Sequence, residues 1–440
     1  MSNATPRSRS AKVSVSKVFV SADVSEPTLF VGIDWADQKH DVCWLAADGR
    51  SGHLVIEQSP EAIEELLAQL GKLAGGGAIA VALEKSRGPL LYALMGREEL
   101  RLYPLDPKQV SRYRDSFVSS RAKADATDAA LILRLLRERF HDLSPLRLDD
   151  EPTRRIAHLS QTRRLLVDEH TRLKLQLTAL LKTYFPLALT FGDVDSLLVL
   201  EILRRWPDPR EFRRVHPKTL RLFFSEHRVK NEDRLKELIA RIRDTPLLTK
   251  DKPVIESLVF RVTALVGQLK PLREQITQLE AVIDQAMAKH PDAALFQNVP
   301  GAGRALAPRL LAAFGSDRDR FADADEVAVV SGIAPVTQQS GQTKFVTRRR
   351  ACSRFLKQTF HEFADQARKW CPWSQAYYAW QRSEKVAHHA ALRKLASRWI
   401  RILFKVWKSR TPYDQSRDLQ RLQQLQHPAI QFLKSQSATT

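Results

Sequence analysis

From residue 29 the apolar residues fall in short runs punctuated by turn residues. "LFVGID" closes on an acid, "DVCWLA" follows a turn containing Asp37 and Gln38, and "HLVIEQ" follows "ADGRSG", whose Asp-Gly pair favours a hairpin. Three strands joined by short turns predict an antiparallel meander. In "SPEAIEELLAQLGKL" the apolar positions recur three and four apart, with Ser59 as N-cap and Pro60 at the first helical position, so a helix follows. "GGGAIAVALEKS" predicts a buried strand ending at Glu84, "PLLYALMG" a short helix stopped by Gly96, "LRLYPL" a fifth strand and "DPKQVSRYRD" a brief helix. The last element of this block is a longer helix containing "KADATDAALILRLL", whose first turn carries Asp125 and Asp128 ahead of an apolar stripe.

The pattern changes beyond "HDLSPLRLDDEP". Residues 153–184 and 231–289 place Leu, Ile and Val at helical spacing among dense Arg, Lys, Glu and Gln, which predicts long amphipathic helices paired as a coiled coil or bundle, with Pro271 interrupting the second stretch. Residues 185–230 between them read as a small helical insertion. From residue 290, "FQNVPGAGRALAPRLLAAFG" predicts a helix end, a glycine turn at Gly301 and Gly303, and a second helix. More helices follow "FADADEVAVVSGIAPVTQQSGQTKFVTRRR", whose Ser-Gly segment reads as a polar loop. The expected organisation is a basic flexible arm (1–28), an α/β domain (29–148), a helical coiled-coil connector (149–289, insertion 185–230), a mainly helical C-terminal domain (290–412) and a flexible tail (413–440).

Charge narrows the partner. The 440 residues carry 70 Lys and Arg against 50 Asp and Glu, a formal +20. Between residues 341 and 411 there are seventeen Lys or Arg against three acids, an excess of fourteen. Clustered cations reward neutralisation of phosphates with counterion release, so nucleic acid is the expected polyanion. A membrane is not an expected partner, because no run of about 18 apolar residues is present and the N-terminus lacks the apolar core of a signal peptide. Three scattered cysteines, Cys43, Cys352 and Cys371, suit neither a disulfide framework nor a zinc knuckle, and point to a cytosolic protein with reduced thiols.

Four acids sit at element ends: Asp34 closes the first strand, Glu84 the fourth, and Asp125 and Asp128 open the long helix on one face. Phosphodiester chemistry commonly uses hard divalent cations held by carboxylate oxygens. Each acid alone has an ordinary explanation, since Asp in a first turn caps the helix or compensates its dipole. Together, in an order of three strands, helix, strand, helix, strand, helix, they resemble the acidic site of a ribonuclease H-like (RuvC-like) fold. Ser340, beside Gly341 in "QQSGQTKFVTRRR", can expose its hydroxyl on a tight turn near Lys344, Arg348, Arg349 and Arg350. Gly301 and Gly303 in "VPGAG" can bring backbone N–H groups to a phosphate, as in helix-hairpin-helix DNA binders, or form a plain turn. The aromatics Trp370, Trp373, Tyr377, Tyr378, Trp380, Trp399 and Trp407 either stack bases or fill the core of a helical domain.

"VGIDWADQKHDVCWL", "LEKSRGPL" and "SSRAKADATDAALILRLL" resemble the N-terminal domain of DEDD transposases of the insertion-sequence 110 family, related to Piv-type invertases. "NVPGAGRALAPRLLAAFG", "FADADEVAVVSGIAPVTQQSG" and the basic helices after it resemble that family's C-terminal transposase domain. The resemblance implies an acidic tetrad at Asp34, Glu84, Asp125 and Asp128 binding Mg²⁺, and a serine nucleophile at Ser340 that joins covalently to DNA. It further implies double-stranded DNA as substrate, a non-coding guide RNA encoded by the element, a homo-oligomer (dimer or tetramer), and a bacterial, cytoplasmic, nucleoid-associated protein. Two departures stand out: a longer connector, and Gln339 and Gln342 flanking Ser-Gly. A structure-selective metal-dependent nuclease and a non-catalytic nucleic-acid binder remain the alternatives.

Overall fold

The computed structural model describes residues 26–84, 88–117, 125–229, 231–341 and 343–430. Of the expected N-terminal arm only residues 26–28 fall within these. The chain divides into two compact units, Met1–Arg147 and Leu148–Thr440.

The first unit is built on β1 (Leu29–Trp35), β2 (Lys39–Ala46), β3 (Ser51–Glu57), α1 (Pro60–Ala74), β4 (Ile79–Leu83), α2 (Pro89–Leu94), β5 (Leu100–Pro104), α3 (Pro107–Phe117) and α4 (Asp125–Glu138). The strands form one sheet in the order β3-β2-β1-β4-β5, with β1, β2 and β3 antiparallel and β4 and β5 parallel to β1. Strand alternation sorts side chains onto two faces. Leu29, Val31 and Ile33 join Ile79, Val81 and Leu83 against α1 and α2. Ala80, Ala82 and Phe30 face the opposite side, against Ile132, Leu135 and Leu136 of α4. Helix α1 begins as the pattern predicts: the Ser59 side chain accepts from Ala62 N, and Gly75 ends the helix at φ +59.

Gly32, at the centre of β1, sets how closely α4 can lie. A Cβ there would stand 2.4 Å from Leu133 N and 2.5 Å from Ala129 O, so only glycine admits the helix backbone at this depth.

The second unit contains α5 (Glu151–Tyr184), α6 (Leu197–Arg205), α7 (Pro209–Arg214), α8 (Pro217–Glu226), α9 (Glu232–Asp244), α10 (Lys252–Lys289), α11 (Ala293–Gln297), α12 (Gly303–Phe314), α13 (Ala324–Val330), β6 (Val336–Ser340), β7 (Thr343–Thr347), α14 (Arg354–Trp370), α15 (Pro372–Ser383), α16 (His388–Ser409) and α17 (Gln415–Gln424). Helices α5 and α10 pack antiparallel: Ile156 meets Ile283 and Met287 in one core, while Leu173 to Leu181 share a second with Ile255 to Leu269. Helices α6 to α9 close that second core, so the segment expected as an insertion caps the far end of the pair.

Two expectations are corrected. Pro271 does not interrupt its helix: α10 runs through it for 38 residues, with the proline exposed, where water can satisfy the carbonyl it leaves unbonded. The tail expected to be flexible from 413 instead folds over residues 415–424 as α17, capped by Asp414, with Leu422 fully buried in the main core. Residues 431–440 lie outside the described residues.

Three buried tryptophans anchor that core, each with its N–H satisfied: Trp373 donates to Tyr413 Oη (2.7 Å), Trp399 to Ser374 Oγ (3.0 Å) and Trp407 to the Gly315 carbonyl (2.7 Å).

Three histidines of this unit have pKa values held below 6.5, chiefly by burial: His290, His361 and His427. His290 is 5% exposed, with Nε2 2.8 Å from Thr153 Oγ1 and Nδ1 accepting from Asp292 N. Because the folded value is depressed, protonation favours the unfolded chain; this stability is complete above pH 6.5 and is lost as pH falls toward the folded values. Asp150 and Asp365, depressed in their turn, lose theirs only below about pH 4. The melting temperature should therefore drop by several degrees between pH 7 and pH 5 at constant ionic strength. A flat profile over that window would remove the histidine account.

Candidate functional site

The C-terminal ends of two central parallel strands bring acids to one edge of the sheet. Ile33 of β1 pairs with Leu83 of β4, and the next residues are Asp34 and Glu84, both half-buried. On the other side Asp34 lies opposite Asp41 of β2, whose carboxylate is 2.8 Å from His53 Nε2. Asp34 follows Gly32 by two residues and so shares its face, the one α4 covers. Asp128 stands in the first turn of α4, immediately before Ala129, whose carbonyl is among the atoms closest to Gly32. One tight backbone approach thus sets the third acid beside the strand that carries the first.

Asp128 is 5% exposed, and its Oδ1 is 2.8 Å from Arg114 Nη2 of α3. A buried carboxylate needs a countercharge, and Arg114 supplies it. Asp125 is the first residue of α4, and its side chain lies outside the described residues. Among the described residues no three His, Cys, Asp or Glu side chains close into a group that could hold a metal ion. The donors nonetheless suit one in type: they are carboxylate oxygens, as hard divalent cations prefer, and the Asp128 pocket already takes positive charge. Sequence reasoning missed Arg114 and Asp41. Arg114 sits in "SRYRD" among other basic residues, with no local signal to single it out.

Ser340 ends β6 and pairs with Thr343 of β7. Gly341, at φ +58, makes the turn between the strands, and Gln342 lies outside the described residues. Gln339 Nε2 donates to the Gly341 carbonyl at 3.3 Å. The segment read as a polar loop is therefore a two-stranded ribbon with Ser340 exposed near its tip, and the threonines and valine flanking Ser-Gly were the signal for it. Lys344 lies in β7, its side chain outside the described residues. Arg348 and Arg350 are exposed just beyond β7, and the Arg349 carbonyl accepts from Lys357 Nζ at 2.9 Å. The basic run thus leads from the ribbon into α14.

The two glycines of "VPGAG" do different things. Gly301, at φ +83, packs on α14, where a Cβ would stand 2.7 Å from Ala367 N. Gly303, at φ +53, opens α12 and faces free space. A side chain is excluded at Gly301 and not at Gly303.

Comparison with known proteins agrees with both halves of the chain. Residues 31–186 match the DEDD model for IS110 elements, described as a transposase, and residues 293–379 match the transposase model of the IS116/IS110/IS902 family. The mini-circle protein of Streptomyces coelicolor designated transposase for IS117 is 29% identical over 89% of this chain and 96% of its own length. The 42 kDa protein of insertion element IS900 from Mycobacterium paratuberculosis is 28% identical over 88% and 97%, and the 43.6 kDa protein of IS110 from Streptomyces coelicolor 28% over 89% and 97%. Family matches at both ends of the chain and relatives aligned through nearly all of it lead to one statement: the chain belongs to the IS110 family of DEDD transposases.

Proposed function

We propose that this transposase cuts and rejoins DNA at the ends of an insertion sequence, with Ser340 as nucleophile and a Mg²⁺ site built from Asp34, Glu84, Asp125 and Asp128. The observation that carries the reading is the delivery of Asp34, Glu84 and Asp128 to one end of the sheet by two parallel strands and a helix held close by Gly32. The strand order, antiparallel on one side of β1 and parallel on the other, supports a ribonuclease H-like framework for those acids.

When bound, Mg²⁺ would supply positive charge against the phosphodiester oxygens. The residues do the rest. Asp34, Glu84 and Asp128 would hold the ion, Asp128 being countercharged in its buried position by Arg114, and the N-terminus of α4 eases the crowding of carboxylates. The Ser340 hydroxyl forms an oxygen–phosphorus bond as the bond from phosphorus to the departing strand breaks, and the proton the serine gives up is passed to that departing oxygen, which leaves as a hydroxyl. Rejoining runs the same exchange in reverse with a different strand end. The exposed ribbon and its trailing arginines support contact with a large polyanion.

The same reading includes a guide RNA encoded by the element and assembly as a dimer or tetramer. Apolar side chains left in solvent on the long helix pair, Leu165, Leu175 and Phe260, support the assembly. No helix among the described residues is long and apolar enough to cross a membrane.

The acidic site is tested with element-end DNA and Mg²⁺. Asp128→Asn should lower strand cleavage by about a hundredfold while DNA binding persists. Unchanged cleavage would reduce the acids to structural residues. Free ends without any joined product would instead indicate the nuclease alternative.

A further inference from the structure

A second surface in the same unit is built to take a chain that carries unpaired bases. It is a groove of about 930 Å³, within the size range of sites for small organic ligands. One wall is α5, with Arg163 and Arg164; the floor is the turn leading into α12, with Arg304 and the open Gly303. The other wall is one stripe of α14, where Glu362, Gln366 and Trp370 follow at four-residue intervals.

Three observations point to a ligand. First, four arginines line the groove with one acid, Glu362, which is engaged by Arg164 (3.4 Å) and Arg309 (2.5 Å); Arg163, Arg164 and Arg304 also pair with Glu280, Asp168 and Asp284 at its margin, so the groove presents guanidinium groups held in place by carboxylates. Second, Arg309 is only 3% exposed. Its Nε donates to Thr359 Oγ1 at 3.0 Å and its Nη1 to Glu362, while Nη2 is buried with no hydrogen-bond partner among the described residues. A buried guanidinium with a spare donor in a groove wall calls for an acceptor. Third, Trp370 is 71% exposed at the rim, whereas Trp373, Trp399 and Trp407 of the same domain are fully buried. An exposed indole beside an arginine-lined groove and a helix N-terminus offers a π-face next to phosphate donors.

We infer that this groove binds single-stranded nucleic acid, with a phosphate against α12 and the arginines and an unpaired base stacked on Trp370. Duplex DNA does not meet the requirement, because its bases are paired and stacked within the helix. The inference rests on the reading of the chain as a nucleic-acid enzyme, and extends it by assigning a strand-specific surface separate from the acids and from Ser340. The ligand chemistry is a phosphodiester chain with an accessible base, which either displaced DNA or an unpaired stretch of RNA provides.

The test uses the full chain and three labelled probes: a deoxypyrimidine strand, a ribopyrimidine strand of the same length, and a DNA duplex. Trp370→Ala should weaken binding of the unpaired strands about tenfold while duplex affinity stays within about twofold. Trp370→Phe, which keeps a π-face, should retain most of the affinity. Strand addition should quench tryptophan fluorescence in the wild type and not in Trp370→Ala. A loss confined to one sugar supports the site and identifies its source. Equal affinity of Trp370→Ala for every probe, or an equal loss on duplex, overturns it. A wild-type chain that binds duplex but neither unpaired strand overturns the site alone, and one that binds none of the three overturns it together with the proposed DNA chemistry.

Discussion

Ser340→Ala should bind element-end DNA as the wild type does and form no covalent link to it. The side chain lost is one hydroxyl on an exposed ribbon, so folding has little to lose: Ser340 is not a core residue, and β6 is paired to β7 through backbone bonds that alanine keeps. What disappears is the oxygen proposed to attack the phosphodiester. Removal of a nucleophile costs about three orders of magnitude in rate or more, so strand exchange should fall to background. Denaturing electrophoresis of protein incubated with end-labelled DNA reads the adduct directly. An adduct that persists in Ser340→Ala moves the nucleophile elsewhere, and one that vanishes together with DNA binding leaves the serine a binding residue.

Gly32→Ala should have the largest effect on the fold. A methyl group 2.4 Å from Leu133 N and 2.5 Å from Ala129 O meets helix backbone, not a side chain that can rotate aside. Helix α4 must lift or β1 must bend, at a cost of about 3 kcal/mol. The same displacement draws Asp128 away from Asp34, so if the proposed acidic site is right, cleavage should fall with stability. Gly71→Ala in α1 is the matched control, since a Cβ there has nothing within 4 Å, and the change should stabilise the helix by up to about 1 kcal/mol. Hydrogen exchange over β1 and α4 in the full chain distinguishes the two. Unchanged protection in Gly32→Ala would show that the helix has slack to accommodate the methyl.

The first unit was largely legible because its signals are local. Short apolar runs between turn residues marked the strands, Ser59 and Pro60 marked the start of α1, and the acids were placed at element ends, where Asp34, Glu84 and Asp128 now lie. What could not be read depends on contacts between elements. Arg114 reaches Asp128 only because α3 packs beside α4. Gly301 looked like a phosphate cradle and proved to be a packing position, since nothing in "VPGAG" says that α14 passes within 2.7 Å. Trp370 and Trp373 are neighbours in sequence, yet α14 ends at the first and α15 begins at Pro372, which resets the helical phase and leaves one indole in solvent and the other in the core. Leu422 was hidden by the glutamines around it.

The antiparallel course of α5 and α10 gives this protein a detachable end. Both helices enter and leave through the main core, so residues 185–251 depart from it and return at nearly the same level. Lengthening or shortening this pair by whole helical turns would leave Ile156, Ile283 and the tryptophans of the main core in place. The reach of the pair is thereby uncoupled from the packing of the main core.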